Sequence, residues 1–124
     1  MAKILVIDDD FIVRMTIVRL LEEAGHDVLA AKDGLRGVAV FRNTEPDLVI
    51  TDIIMPEQEG IQTIEEILKA KPDAKIIATS GGGRIGNNDF LEIAKARGAM
   101  AVIPKPFDME ELLGLVRDCL GKAA

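Results

Sequence analysis

Four places in this chain put polar, chemically capable side chains directly behind apolar runs. Asp8, Asp9 and Asp10 follow Ile4 to Ile7, Asp52 follows the run that starts at Leu48, Ser80 follows Ile76 to Thr79, and Lys105 stands just beyond Met100 to Ile103. If these runs are neighbouring strands, their tips collect several carboxylates, a hydroxyl and an ammonium in one place. Carboxylates brought together repel unless something neutralises them, and a hard divalent cation such as Mg²⁺ suits oxygen ligands that leave room for water. A lysine beside them offers a point positive charge for a phosphoryl oxygen, and a serine hydroxyl offers a donor for another. Such a set can accept and hold a phosphate. Each residue also has a plainer role: Asp10 is placed to cap a helix, Ser80 to satisfy a strand end, and Lys105 to sit in solvent. It is their arrival from four separate strand ends that favours chemistry.

The elements that would position them follow from periodicity. Lys3 to Asp8 is a short β-branched run without alternation, as a strand buried on both faces of a parallel sheet requires. From Asp10 the period turns helical, with Phe11, Met15, Val18 and Leu21 on one face and Ile12 and Leu20 widening it, until Gly25 supplies a stop. Asp27 to Ala31 is a second strand, and Asp33 caps a helix to about Asn43. A third strand covers Asp47 to Asp52, a helix Gly60 to Ala70, a fourth strand Lys75 to Ser80 and, after a glycine-rich loop, a helix Asn88 to Arg97. Met100 to Ile103 is the fifth strand, and Asp108 with Glu111 three positions on marks the start of a last helix to about Leu120. Alternation of five strands with five helices predicts an α/β fold, a mainly parallel sheet wound on both sides. Ligands of such sheets bind beyond the carboxyl ends of the strands, where the aspartates fall.

Composition agrees and excludes several classes. The 124 residues form one domain, 1–124, with 48% hydrophobic and 29% charged residues, enough for a core and a solvated surface. No apolar run nears the roughly 20 residues a membrane span needs, and the lysine and three aspartates near the N-terminus are the wrong order for a secretory signal, so a cytoplasmic location is expected. The formal net charge of −6 argues against nucleic acid as a partner. The single cysteine, Cys119, has no intramolecular disulfide partner and reads as a core residue.

Over essentially its whole length the chain resembles the receiver domain of two-component response regulators. ILVIDDD carries the acidic pair, LVITDIIMP the acceptor and its Met-Pro turn, with Gly60 beyond, IIATSGG the hydroxyl and IPKPF the lysine. The resemblance implies a flavodoxin-like five-stranded parallel sheet of strand order 2-1-3-4-5. It also implies that Asp52 is the phosphoacceptor. Asp9 would bind Mg²⁺ directly, Asp8 would assist through water, and Asp52 and the backbone carbonyl of Ile54 would complete the protein ligands. Ser80 and Lys105 would meet the phosphoryl group, with a cis bond before Pro106. Thr79 and Ser80 are adjacent and point to opposite faces of a strand, and counting along the strand favours Ser80. Where the family usually places an aromatic switch residue, three positions before the lysine, this chain has Val102, and it contains no tyrosine. The implied partners are a histidine kinase or histidine phosphotransfer protein as donor and an unknown downstream protein. The chain is expected to act without an output domain, as a monomer or weak dimer.

Two other chemistries fit parts of the chain. Gly81 to Gly86 reads G-x-G-x-x-G between a strand and a helix, but dinucleotide folds carry that fingerprint after the first strand, where this chain has three aspartates that would repel a pyrophosphate. Asp8-x-Asp10 is similar to the start of haloacid-dehalogenase-type phosphatases, in which the first aspartate is the nucleophile. Those enzymes need more acidic ligands after a late strand, where Pro104-Lys105-Pro106 stands.

Overall fold

The computed structural model describes residues 2–53, 59–80 and 87–121. Each apolar run forms a strand and each helical period a helix: β1 (Lys3–Ile7), α1 (Phe11–Glu23), β2 (Asp27–Ala31), α2 (Gly34–Thr44), β3 (Leu48–Asp52), α3 (Glu59–Ala70), β4 (Ile76–Ser80), α4 (Asn87–Ala96), β5 (Ala101–Pro104) and α5 (Met109–Leu120). The strands make one parallel sheet in the order β2-β1-β3-β4-β5. Strand order therefore reverses between β1 and β3, and the crevice at that reversal opens beside Asp8 and Asp52.

Strand alternation divides the core in two. Ile4, Val6, Leu48, Ile50, Ile77 and Ile103 pack with Ile17, Val18 and Leu21 of α1 and with Leu112, Val116 and Cys119 of α5. Leu5, Ile7, Val49, Ile76 and Ala78 point the other way, against Val38 and Phe41 of α2, Ile64 and Ile67 of α3 and Ala94 of α4. β3 and β4 are buried at every position because both faces are covered, which explains why their sequences do not alternate.

The helix starts obey side-chain capping. Asp10 Oδ1 accepts the amides of Ile12 at 2.9 Å and Val13 at 3.1 Å, Asp33 accepts that of Arg36 at 2.8 Å, and Asp108 accepts that of Glu111 at 3.0 Å. α1 stops as expected at Gly25, whose φ of 97° lets the His26 amide turn back to the Leu21 carbonyl at 3.1 Å.

One helical face differs from expectation. Ile17, Val18 and Leu21 are the buried residues of α1, whereas Phe11, Ile12 and Met15 are 62%, 70% and 44% exposed. α1 starts immediately beyond the end of β1, so its first turn overhangs the sheet and has no strand beneath it to pack on. Apolar residues there contribute to a surface instead of the core.

Gly60, in the first turn of α3, holds the exit of β3 in place. A Cβ at this position would run into the Cα, carbonyl carbon and oxygen of Ile53, the residue after Asp52. Main chain cannot move aside as a flexible side chain can. Gly60→Ala is therefore expected to destabilise the fold by about 1–3 kcal/mol in urea unfolding. Stability equal to that of the unsubstituted protein would show that α3 does not press on this backbone.

Candidate functional site

Asp8 and Asp52 stand at the tips of the adjacent strands β1 and β3 and are almost completely buried, 1% and 4% exposed, whereas Asp9 is exposed. One carboxylate oxygen from each of Asp8, Asp9 and Asp52 lies within 4.8 Å of the other two. The Lys105 ammonium closes the group, donating to Asp8 Oδ2 at 2.7 Å and to Asp52 Oδ2 at 3.3 Å. The other Asp8 oxygen accepts the Asp10 amide at 2.9 Å, so both oxygens of that carboxylate are engaged.

Backbone contacts explain why Lys105 reaches across the sheet. Its amide donates to the Ser80 carbonyl at 2.8 Å, which prolongs the pairing of β5 with β4, and the following Lys105–Pro106 peptide bond is cis. The Ile53 amide donates to the Thr79 carbonyl at 2.9 Å, so β3 is tied to β4 one residue beyond Asp52. Burial by itself would push the Lys105 ammonium toward losing its proton. The hydrogen bond it donates to Asp8 and the charges of Asp52 and Asp8 outweigh that, and its pKa is raised above the ordinary lysine value.

The remaining residues singled out in the sequence divide into four groups. Ser80 is fully buried at the tip of β4 and its hydroxyl has no hydrogen-bond partner among the described residues; the neighbouring Thr79 shares both properties. Val102 is half-buried and packs into the core under α2, α3 and α4, its Cα paired with that of Ala78. Ile54, the Met55-Pro56 turn and the glycine-rich run Gly81 to Gly86 lie outside the described residues. His26 accepts the Ala2 amide at 3.1 Å at the amino end of the sheet, away from the carboxylates.

Arg14 was not anticipated. Its guanidinium donates to the Asp8 carbonyl at 2.7 Å and sits 5.5 Å from the centre of the Phe11 ring, so α1 grips the backbone that carries the acidic pair. The available signal was a basic residue one turn after the Asp10 cap, on the helix that follows the aspartates. Beside the site, Ile12, Val13, Thr16 and Ile17 of α1 form an open, largely apolar groove of about 380 Å³ with Pro106, Phe107 and Met109.

Chemically, three carboxylates opposed by a single ammonium leave an excess of negative charge on oxygen donors. Their spacing suits a hard divalent cation that keeps several waters, so the residues present fit Mg²⁺. The two unpartnered hydroxyls at the same sheet edge are donors without acceptors.

Comparison with known proteins places this geometry. Residues 4–117 match the family model described as the response regulator receiver domain. The chain is 34% identical over 125 residues to the chemotaxis protein CheY of Listeria monocytogenes, covering 100% of this chain and 99% of that protein. It is 36% identical over 121 residues to the DNA-binding transcriptional regulator NtrC of Azospirillum brasilense, covering 96% of this chain but only 24% of the larger protein, about a quarter of its length. The crystal structure of a response regulator receiver domain protein from Clostridium thermocellum superposes with a TM-score of 0.88 at 33% identity, covering 97% of this chain and 94% of that one.

The Lys105 ion pairs make stability depend on pH in a defined direction. Because the folded-state pKa is raised, their contribution is whole below the ordinary lysine value and is lost as pH rises through the folded value, where the folded protein also gives up the proton. Without divalent cations, Lys105→Met is expected to lower stability near neutrality by about 1–3 kcal/mol and to flatten the alkaline loss seen in the unsubstituted protein. Urea unfolding across a pH series measures both; parallel stability curves for the two proteins would contradict the raised pKa.

Proposed function

The chain belongs to the response regulator receiver family of two-component signal transduction, and on that premise we propose that Asp52 accepts a phosphoryl group from a phosphohistidine on a partner protein. The observation that carries this reading is the buried Asp52 carboxylate, 3.3 Å from the Lys105 ammonium and within 4.8 Å of two further carboxylates. Residues 1–124 act as one receiver domain, a switch that is modified once per signal and not a turnover enzyme.

In this reading Asp9 and Asp52, with the Ile54 carbonyl, would hold Mg²⁺ directly and Asp8 would assist through water, and the bound ion would offset negative charge on the phosphoryl oxygens. An Asp52 oxygen forms the new bond to phosphorus while the bond from phosphorus to the donor imidazole breaks, and the imidazole leaves with that electron pair. Lys105 turns its donors from the carboxylates toward phosphoryl oxygens, and the unpartnered Ser80 hydroxyl donates to another. Ser80 is buried and Lys105 is only 14% exposed at the sheet edge, so both are held before the donor arrives.

Asp52 is nearly inaccessible, so the donor must approach over the exposed Asp9, next to the apolar groove between α1 and the turn after β5. A histidine kinase or histidine phosphotransfer protein supplies that donor. The signal leaves through the Ser80 loop and the face made by α4, β5 and α5, where Val102 replaces an aromatic, toward a downstream protein. Among the described residues no helix is long and apolar enough to cross a membrane, and the net charge of −6 disfavours nucleic acid. We place the protein in the cytoplasm, as a monomer or weak dimer.

The phosphatase reading needs Asp8 as nucleophile and Asp10 as its proton-transferring partner. Both Asp8 oxygens are engaged, and the Asp10 carboxylate is committed to capping α1, which argues against it. Incubation with Mg²⁺ and acetyl phosphate, followed by intact mass, separates the two. A single added phosphoryl group is expected, absent when Mg²⁺ is chelated and in Asp52→Asn, and gained at least about tenfold more slowly in Lys105→Met. Labelling that survives in Asp52→Asn and requires Asp8 would move the chemistry to the phosphatase type.

A further inference from the structure

β4 ends in two consecutive hydroxyls, Thr79 at 1% and Ser80 at 0% exposure, and neither oxygen has a hydrogen-bond partner among the described residues. Buried polar atoms in folded proteins are nearly always satisfied, so a lasting exception calls for a reason. Alternation sends the two side chains to opposite faces of the sheet. Ser80 shares its face with Ala78 and Val102, whereas Thr79 belongs to the face of Ile50, Ile77 and Ile103.

That second face also carries the charged cluster. Asp52 pairs with Thr79, and Thr79 with Ile103, in the register of the three neighbouring strands. Asp8 continues the alternation of Ile4 and Val6, and Lys105 that of Ile103. Thr79 thus stands between the strand that carries Asp52 and the one that delivers Lys105. An ammonium has three N–H donors, and the Lys105 bonds to Asp8 at 2.7 Å and Asp52 at 3.3 Å use two. One donor and one acceptor on the same face remain unmatched.

We infer that Thr79 is a positioning residue for Lys105. Unpartnered at rest, its hydroxyl accepts the third ammonium proton, through a small shift or one enclosed water, only when the other donors of Lys105 move to phosphoryl oxygens, and it then keeps the ammonium level with Asp52. This role rests on the assignment of Asp52 as acceptor. Valine nearly matches threonine in shape, and removing a buried hydroxyl that has no partner is neutral or stabilising. A hydroxyl kept here at some expense of stability is what a functional edge demands.

The test is the rate of phosphorylation by acetyl phosphate, at saturating donor and varied Mg²⁺, for the unsubstituted protein, Thr79→Val and Thr79→Ser, with urea midpoints in parallel. Thr79→Val is expected to lower the maximal rate about three- to tenfold, the equivalent of one ordinary hydrogen bond. Its half-saturating Mg²⁺ should be unchanged, its midpoint equal or higher, and Thr79→Ser should restore the rate. Thr79→Val labelling at the full rate, or Thr79→Ser as slow as Thr79→Val, would overturn the inference. If the unsubstituted protein took up no phosphoryl group, the assignment of Asp52 would fail and this role with it, an outcome distinct from failure confined to the variants.

Discussion

The bridge from Lys105 to Asp8 and Asp52 is the contact on which the site depends. Two buried carboxylates on neighbouring strands repel in a medium less polarisable than water, and the ammonium 2.7 Å and 3.3 Å away offsets that repulsion. A lysine 53 residues from Asp52 in sequence reaches it only because β5 lies one strand beyond β4 and its chain end is held to Ser80 by a backbone bond. The neutralisation is incomplete, since Asp9 adds a third carboxylate. That residual negative charge suits a divalent cation.

The rest of the fold serves this edge. Parallel strands end at the same level, so apolar runs that are buried along their length release their polar tips together. Even-numbered positions of β1 and β3 face α1 and α5, which aligns Asp8, Asp52 and the lysine stem on one side of the sheet. The α1 helix does more than cover that side. Arg14 holds the Asp8 carbonyl, Asp10 caps the helix and gives its amide to Asp8, and the overhanging first turn leaves Phe11, Ile12 and Met15 at the surface beside the site. Structural and chemical roles are therefore combined in one stretch of seven residues, 8–14.

Much of this was legible in the sequence because the signals were local. Runs without alternation marked strands covered on both faces, and aspartates ahead of helical periods marked caps, as Asp10, Asp33 and Asp108 proved to be. Strand ends were read to within a residue: Asp8, Asp47, Lys75 and Met100 fall just outside their strands and the fifth strand runs on to Pro104. These are polar or flanking positions where composition does not register the last ladder bond. What depended on three dimensions was less visible. Periodicity put Phe11 and Met15 on the buried face of α1, since a helical pattern does not reveal which turns overhang the sheet. The pull of Arg14 on a backbone carbonyl left no pattern to read. Counting chose between Thr79 and Ser80 for one role, whereas strand register shows both hydroxyls buried on opposite faces, each without a partner among the described residues.

The central claim is that one carboxylate, at residue 52, takes the phosphoryl group. Borohydride reduces an acyl phosphate to an alcohol and so converts a phosphorylated aspartate to homoserine, leaving free carboxylates intact. Treating the protein with Mg²⁺ and a phosphodonor, reducing it and sequencing its peptides by mass spectrometry reads the modified position directly. The account predicts homoserine at position 52 alone. Homoserine at position 8 or 9 would contradict it.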